Sequence, residues 1–129
     1  MEGAPFPWGD ELEPGGRHMM NVFQGEFPGT NTCADGWAGT SPVGSYPANG
    51  YGLYDVTGNV WEWCADAYSA NAYRFGPATA APGEGPRVIR GGSYLCHASY
   101  CSRYRVDSRS SNTPDSTSGN TGFRIAAGR

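Results

Sequence analysis

The sequence has no lysine, few aliphatic side chains and no long apolar run. Its nine basic residues are all arginines, dispersed along a chain of net charge −3. A nucleic-acid-binding surface carries a basic stripe, and none is present. No stretch approaches the ~18 apolar residues of a membrane span. The opening Met1–Pro5 has neither the basic end nor the ~7–15 apolar residues of a secretory signal. Leu, Ile, Val and Phe make up 16 of 129 residues, below the ~20% at which disorder becomes the default. That default also requires high net charge, which this chain lacks. Internal repeats, heptads and phosphate-cradling glycine loops are absent as well.

Aromatic side chains take the place of the missing aliphatics: four Trp, eight Tyr and five Phe. Each ring buries a large area, so a core can form without many Leu or Ile. Twenty Gly and ten Pro punctuate the chain, which predicts one domain over 1–129, α+β with little regular secondary structure. Met1–Ala48 shows no sustained period. Tyr51–Tyr54 reads as a short strand, and a turn at Asp55–Val60 leads into a strand with Trp61 and Trp63 on one face. Asn71–Gly85 reads as a surface loop. Arg87–Tyr94 reads as a strand with Gly91-Gly92 at a bulge or close backbone approach. Ser108–Gly119 reads as loop, and Gly122–Ala127 as a last strand.

The chemistry-bearing stretch is Cys96-His-Ala-Ser-Tyr-Cys101. A separation of five places two side chains on opposite faces of a strand and ~140° apart on a helix. The two thiols therefore converge only if the intervening residues break regular structure. Spacing alone favours a small structural disulfide or two unrelated buried thiols. A zinc site needs four ligands, and no Cys-X-X-Cys or His pair accompanies these two. Two thiolates without further ligands suit a soft, low-coordinate ion such as Cu(I). Arg103 and Arg105 are candidates for lowering a thiol pKa. Cys33 and Cys64 read as buried free thiols, His18 as a surface residue, and His97 as a solvent or backbone contact or a tuner of Cys96.

Four strings go further: Asn49-Gly-Tyr-Gly-Leu-Tyr54, Gly58-Asn-Val-Trp-Glu-Trp63, Arg90-Gly-Gly-Ser-Tyr94 and Gly122-Phe-Arg124. Together they resemble the sulfatase-modifying-factor domain from Pro5 onward. The Cys96–Cys101 segment and Asn112-Thr-Pro-Asp115 resemble the formylglycine-generating enzymes of that family. The resemblance implies a variant of the C-type lectin fold. It implies a copper-dependent oxidase that uses O2 and a thiol reductant. The substrate is then a cysteine in a Cys-X-Pro-X-Arg motif of an unfolded sulfatase polypeptide, oxidised to formylglycine. Cys96 and Cys101 become the Cu(I) ligands, with the substrate cysteine as a third sulfur. Ser93 becomes catalytic, and Trp61 and Asn120 line the substrate pocket. The plainer alternatives are core packing for Trp61 and a satisfied turn for Ser93.

The resemblance also implies two structural calcium sites. The first takes side-chain oxygens of Asn21 and Asp35 and carbonyls of Val22 and Trp37. The second takes Asp55 and Glu62 side chains and the Gly58 and Val60 carbonyls. Calcium accepts such mixed oxygen sets, although Asp35 and Asp55 alone read as turn aspartates. Glu62, between two tryptophans, requires a partner if buried.

Family members carry an additional N-terminal half that this sequence does not show. The expectation is accordingly the C-terminal part of the domain, with homo-oligomerisation as one way to cover the exposed surface. Val106 and Ile125 stand where secreted members have disulfide cysteines, which points to a bacterial-type cytoplasmic protein without membrane or nucleic-acid partners. A noncatalytic C-type-lectin-like binding module or inactive truncated member is the alternative from a different class. A related iron-dependent sulfoxide synthase is a third reading, but its histidine-bearing domain is not in this sequence.

Overall fold

The computed structural model describes residues 3–76, 78, 80–81 and 83–127. Regular structure is sparse. A short hairpin pairs β1 (Gly25–Glu26) with β2 (Thr30–Asn31). A four-stranded sheet contains β3 (Trp61–Ala67), β4 (Arg87–Arg90), β5 (Ser110–Asn112) and β6 (Thr121–Gly122), in the order β5-β4-β3-β6. β3 and β4 are antiparallel with a register shift between Trp63 and Ala67, and β6 runs parallel to β3. A 3-10 turn at Pro14–Gly16 and one helical turn, α1 (Ala72–Phe75), complete the inventory of the described residues.

Several elements differ from the sequence reading, each for a local reason. Residues 51–54 form a turn rather than a strand, because the Asn49 side-chain oxygen accepts the Tyr51 and Leu53 amides at 2.9 and 3.0 Å. The strand read over Arg87–Tyr94 stops at Arg90. Gly91 and Gly92 follow at φ 90° and 70°, a conformation open mainly to glycine. The expected last strand keeps only Gly122 in the ladder, while the stretch read as loop contains β5. Within Asn71–Gly85 the chain makes α1, four residues long.

The core lies beside the sheet. Phe6, Met20, Val22, Cys96 and Tyr104 are buried together, with Trp8, Leu12, Trp61 and Cys101 packed against them. Phe6 stacks on Trp8 at 5.4 Å between ring centroids and lies 6.1 Å from Tyr104. Aromatic rings thus fill the interior, as the composition predicts. Two glycines allow the close approaches this packing needs. A Cβ on Gly58 (φ 71°) would lie 2.5 Å from the Asn21 carbonyl oxygen, and one on Gly92 would lie 3.1 Å from Tyr104 Cβ. Asn59 then acts as a buried clamp, its amide accepting from the Ser41 N–H (2.9 Å) and donating to the Ser41 carbonyl (3.2 Å).

A candidate thiol centre and two carboxylate clusters

The chain from Ser93 to Cys101 is folded by its own backbone. The Cys96 amide donates to the Ser93 carbonyl at 2.9 Å, and the Cys101 and Tyr100 amides both donate to the His97 carbonyl, at 2.8 and 3.0 Å. Two successive turns replace the regular structure that would separate the thiols. Their sulfurs lie 2.8 Å apart, and both cysteines are free. The Phe23 amide donates to the Cys96 carbonyl at 3.0 Å, fixing the turn to the segment before β1.

Cys96 is 3% exposed. Burial pushes its thiol up to about 12, the contact with Cys101 adds to the shift, and hydrogen bonding from Ser93 opposes it. Tyr104, packed beside the pair, is raised to about 12 by burial and by the neighbouring thiols. Arg103 and Arg105 do not act as the sequence suggested. Arg103 bonds Ser110 and Arg105 pairs with Asp107, both at the surface, and neither contributes to the Cys96 shift.

Ser93 is buried, and its hydroxyl accepts from the Asn120 side-chain amide at 3.1 Å and the Leu95 N–H at 3.3 Å. The Asn120 carbonyl in turn accepts from the Trp61 amide at 2.8 Å. Ser93, Asn120, Trp61 and both cysteines therefore form one connected corner. The sequence reading missed an aromatic stack against it. Phe27 stacks on Tyr100 (4.9 Å) and on His97 (6.0 Å), with Phe23 edge-on to Phe27. His97 is thus held by rings and by Ser99 at 2.7 Å. The only signal was Phe23 and Phe27 on either side of the two-residue strand β1, with no alternating pattern. His18 also departs from a plain surface role, since it is half-buried and contacts Glu13 at 2.8 Å.

The first carboxylate cluster brings Asp35, Val22 and Trp37 together. Asp35 accepts the Val22 amide at 3.2 Å and the Trp37 amide at 3.0 Å. Asn21 donates to the Gly39 carbonyl at 2.8 Å, but its Oδ1 is buried without a hydrogen-bond partner. Tyr46 is similarly buried with an unpartnered hydroxyl. Burial and the nearby Asp35 and Asp55 charges push its phenol up. The hard oxygens of Asn21 and Asp35 fit calcium.

The second cluster is arranged differently. Glu62 receives both Nε (2.6 Å) and a second guanidinium nitrogen of Arg124, which also donates to the Tyr54 and Asp55 carbonyls at 3.1 and 3.2 Å. Asp55 accepts the Gly44 amide at 2.7 Å. The partner that Glu62 requires is therefore Arg124, and a calcium ion there competes with the guanidinium. Among the described residues, no three His, Cys, Asp or Glu side chains gather as a metal cluster. Two adjacent thiols are of the donor type that suits a soft ion of low coordination number.

Residues 1–128 match the Sulfatase-modifying factor enzyme 1-like domain. The chain is 57% identical to the formylglycine-generating enzyme of Streptomyces coelicolor, over 98% of this chain and 41% of that protein. It is 52% identical to the mouse protein of the same name, over 98% of this chain and 35% of the relative. A bovine relative named inactive C-alpha-formylglycine-generating enzyme 2 is 42% identical, over 99% and 39%. Among solved structures, PvdO from Pseudomonas aeruginosa superposes with a TM-score of 0.62 at 28% identity, covering 92% of this chain and 42% of that one. The chain thus spans less than half the length of each of these proteins.

Proposed function

Because the chain belongs to the sulfatase-modifying factor family, we propose that it carries the thiol centre of a formylglycine-generating oxidase, acting on a cysteine of a sulfatase Cys-X-Pro-X-Arg segment. The single observation that carries this reading is the 2.8 Å approach of Cys96 and Cys101 in a corner sealed by Tyr104 and Ser93. Residues 1–129 are read as one domain part, in a variant of the C-type lectin fold, and the locale as cytoplasmic.

Cys96 and Cys101 would hold Cu(I). When bound, the metal supplies the reduction of O2 that oxidation of a thiol to an aldehyde requires, with a thiol reductant as the outside electron source. The chain's own residues prepare that chemistry. Burial keeps Cys96 protonated at neutral pH, so metal binding must expel a proton, and affinity rises with pH. Ser93 keeps its hydroxyl in place through Asn120, which leaves it able to orient a peptide beside the sulfurs. Trp61 contributes apolar wall to the same corner. Calcium at Asn21, Val22, Asp35 and Trp37 would be structural, as would calcium at Asp55, Gly58, Val60 and Glu62 once Arg124 shares Glu62.

The relative named inactive favours a second reading, a noncatalytic module that keeps the fold. A Cu(I) titration followed by mass spectrometry of a Cys-X-Pro-X-Arg peptide, with O2 and a thiol reductant, separates the two. Oxidation of the peptide cysteine to formylglycine, abolished in Cys96→Ala and Cys101→Ala, supports the oxidase. Copper binding with no peptide product points to an incomplete enzyme, and no copper binding by the reduced protein overturns the metal assignment and favours the second reading.

A further inference from the structure

Three buried side-chain oxygens among the described residues have no hydrogen-bond partner: Asn21 Oδ1, Ser41 Oγ and the Tyr46 hydroxyl. They belong to one locality. Asn59 joins Ser41 to Asn21, its side-chain oxygen accepting the Ser41 amide at 2.9 Å and Asn21 Nδ2 at 3.4 Å. From Ser41 the chain enters a turn in which the Ser45 amide and hydroxyl both donate to the Pro42 carbonyl, at 3.2 and 2.6 Å. The Gly44 amide donates to Asp55 at 2.7 Å, so the turn is pinned at either end. That path delivers Tyr46, 8% exposed, to the neighbourhood of the Asp35 and Asp55 carboxylates. A hydroxyl buried without a partner is destabilising, and phenylalanine would fill the same space without it. The hydroxyl therefore calls for a use other than packing.

We propose that Tyr46 is a further positioning residue of the first calcium cluster, its hydroxyl steadying the Asp35 carboxylate when the ion is bound. The proposal rests on the calcium reading of Asn21, Val22, Asp35 and Trp37 given above. One oxygen of Asp35 accepts the Val22 amide and the other the Trp37 amide. A carboxylate that serves two amides and an ion at once must keep one orientation, and a further hydrogen bond to it holds that orientation. Beside carboxylates, which only accept, the phenol is the donor. Asn21 Oδ1 needs no such help, because the Asn21 amide is already held by Gly39 at 2.8 Å, which leaves that oxygen for the ion.

The test is calcium titration of the 129-residue chain by calorimetry, without copper or peptide, in Glu62→Gln so that the first cluster alone reports. Adding Tyr46→Phe is expected to weaken calcium binding about tenfold. Its melting temperature without calcium should not fall, because the ring stays and the lost hydroxyl had no partner. Calcium should also change the near-ultraviolet absorbance of the tyrosines, and that change should be missing in Tyr46→Phe, a signature that a purely structural residue would not give. On top of Asp35→Asn, Tyr46→Phe should add little, since it acts through that carboxylate. Unchanged calcium affinity in Tyr46→Phe, or a lower melting temperature without calcium, overturns the proposal and leaves the calcium reading standing. An additive loss in the double variant overturns the link to Asp35. Absence of calcium binding before Tyr46 is altered overturns the calcium reading and the proposal with it.

Discussion

The thiol corner and the outer sheet edge are opposites in one small chain. At the corner, Cys96, Tyr104 and Ser93 are all within 3% of full burial, and Asn120, Trp61 and Phe23 tie the 93–104 segment to the rest of the chain. At the edge, Tyr51, Phe123 and Ile125 are each at least 75% exposed. The corner is completed by the chain's own packing, and the edge is not. The chain spans less than half the length of its relatives.

The largest way to break this contrast is Tyr104→Ala. Removing a fully buried aromatic ring costs about 3–5 kcal/mol, and denaturant unfolding is expected to register it. Ile125→Asp at the edge should stay within about 0.5 kcal/mol, the range for exposed substitutions. Comparable costs at the two positions would mean that the edge is packed in solution.

Calcium sharpens the comparison with the carboxylate clusters. At 100 times its dissociation constant, one bound ion adds about 2.7 kcal/mol. The melting temperature should rise with calcium and fall with a chelator, and Asp35→Asn should reduce the response. A rise undiminished by Asp35→Asn that disappears in Glu62→Gln would place calcium at the second cluster alone.

A smaller effect is expected in alkali. Cys96 and Tyr104 hold their protons to about 12 in the folded state, above the ordinary ranges of thiols and phenols. The native state then binds more protons than the unfolded chain, so stability is complete below about pH 8.5 and drains as pH climbs toward 12. Melting curves from pH 8 upward should fall, and less steeply in Cys96→Ala. A rising curve, or an identical slope in that variant, would contradict the burial of the thiol.

Much of this was legible in the sequence because the relevant signals are local. Gly92 marks a close backbone approach, here 3.3 Å between its would-be Cβ and Cys96 Sγ, whereas the turns that bring Cys96 and Cys101 together were only a condition for their convergence. The aromatic count foretold a ring-filled core. Long-range pairings were not legible. Glu62 finds Arg124 across 62 residues, and Phe27 stacks on Tyr100 across the hairpin and the cysteine turn. No spacing rule predicts either contact. Strand limits failed for a related reason, because Asn49 and the Gly91-Gly92 pair end extended backbone through geometry that β-propensity ignores.

The central claim is that Cys96 and Cys101 together form a Cu(I) site. Competitive titration of the reduced protein with a chromophoric Cu(I) chelator tests it most directly, run at two pH values. The account predicts one copper per chain, tighter binding at the higher pH, and loss of binding in both Cys96→Ala and Cys101→Ala. Absence of copper binding by the reduced protein, or binding by either variant as tight as that of the unaltered chain, would contradict it.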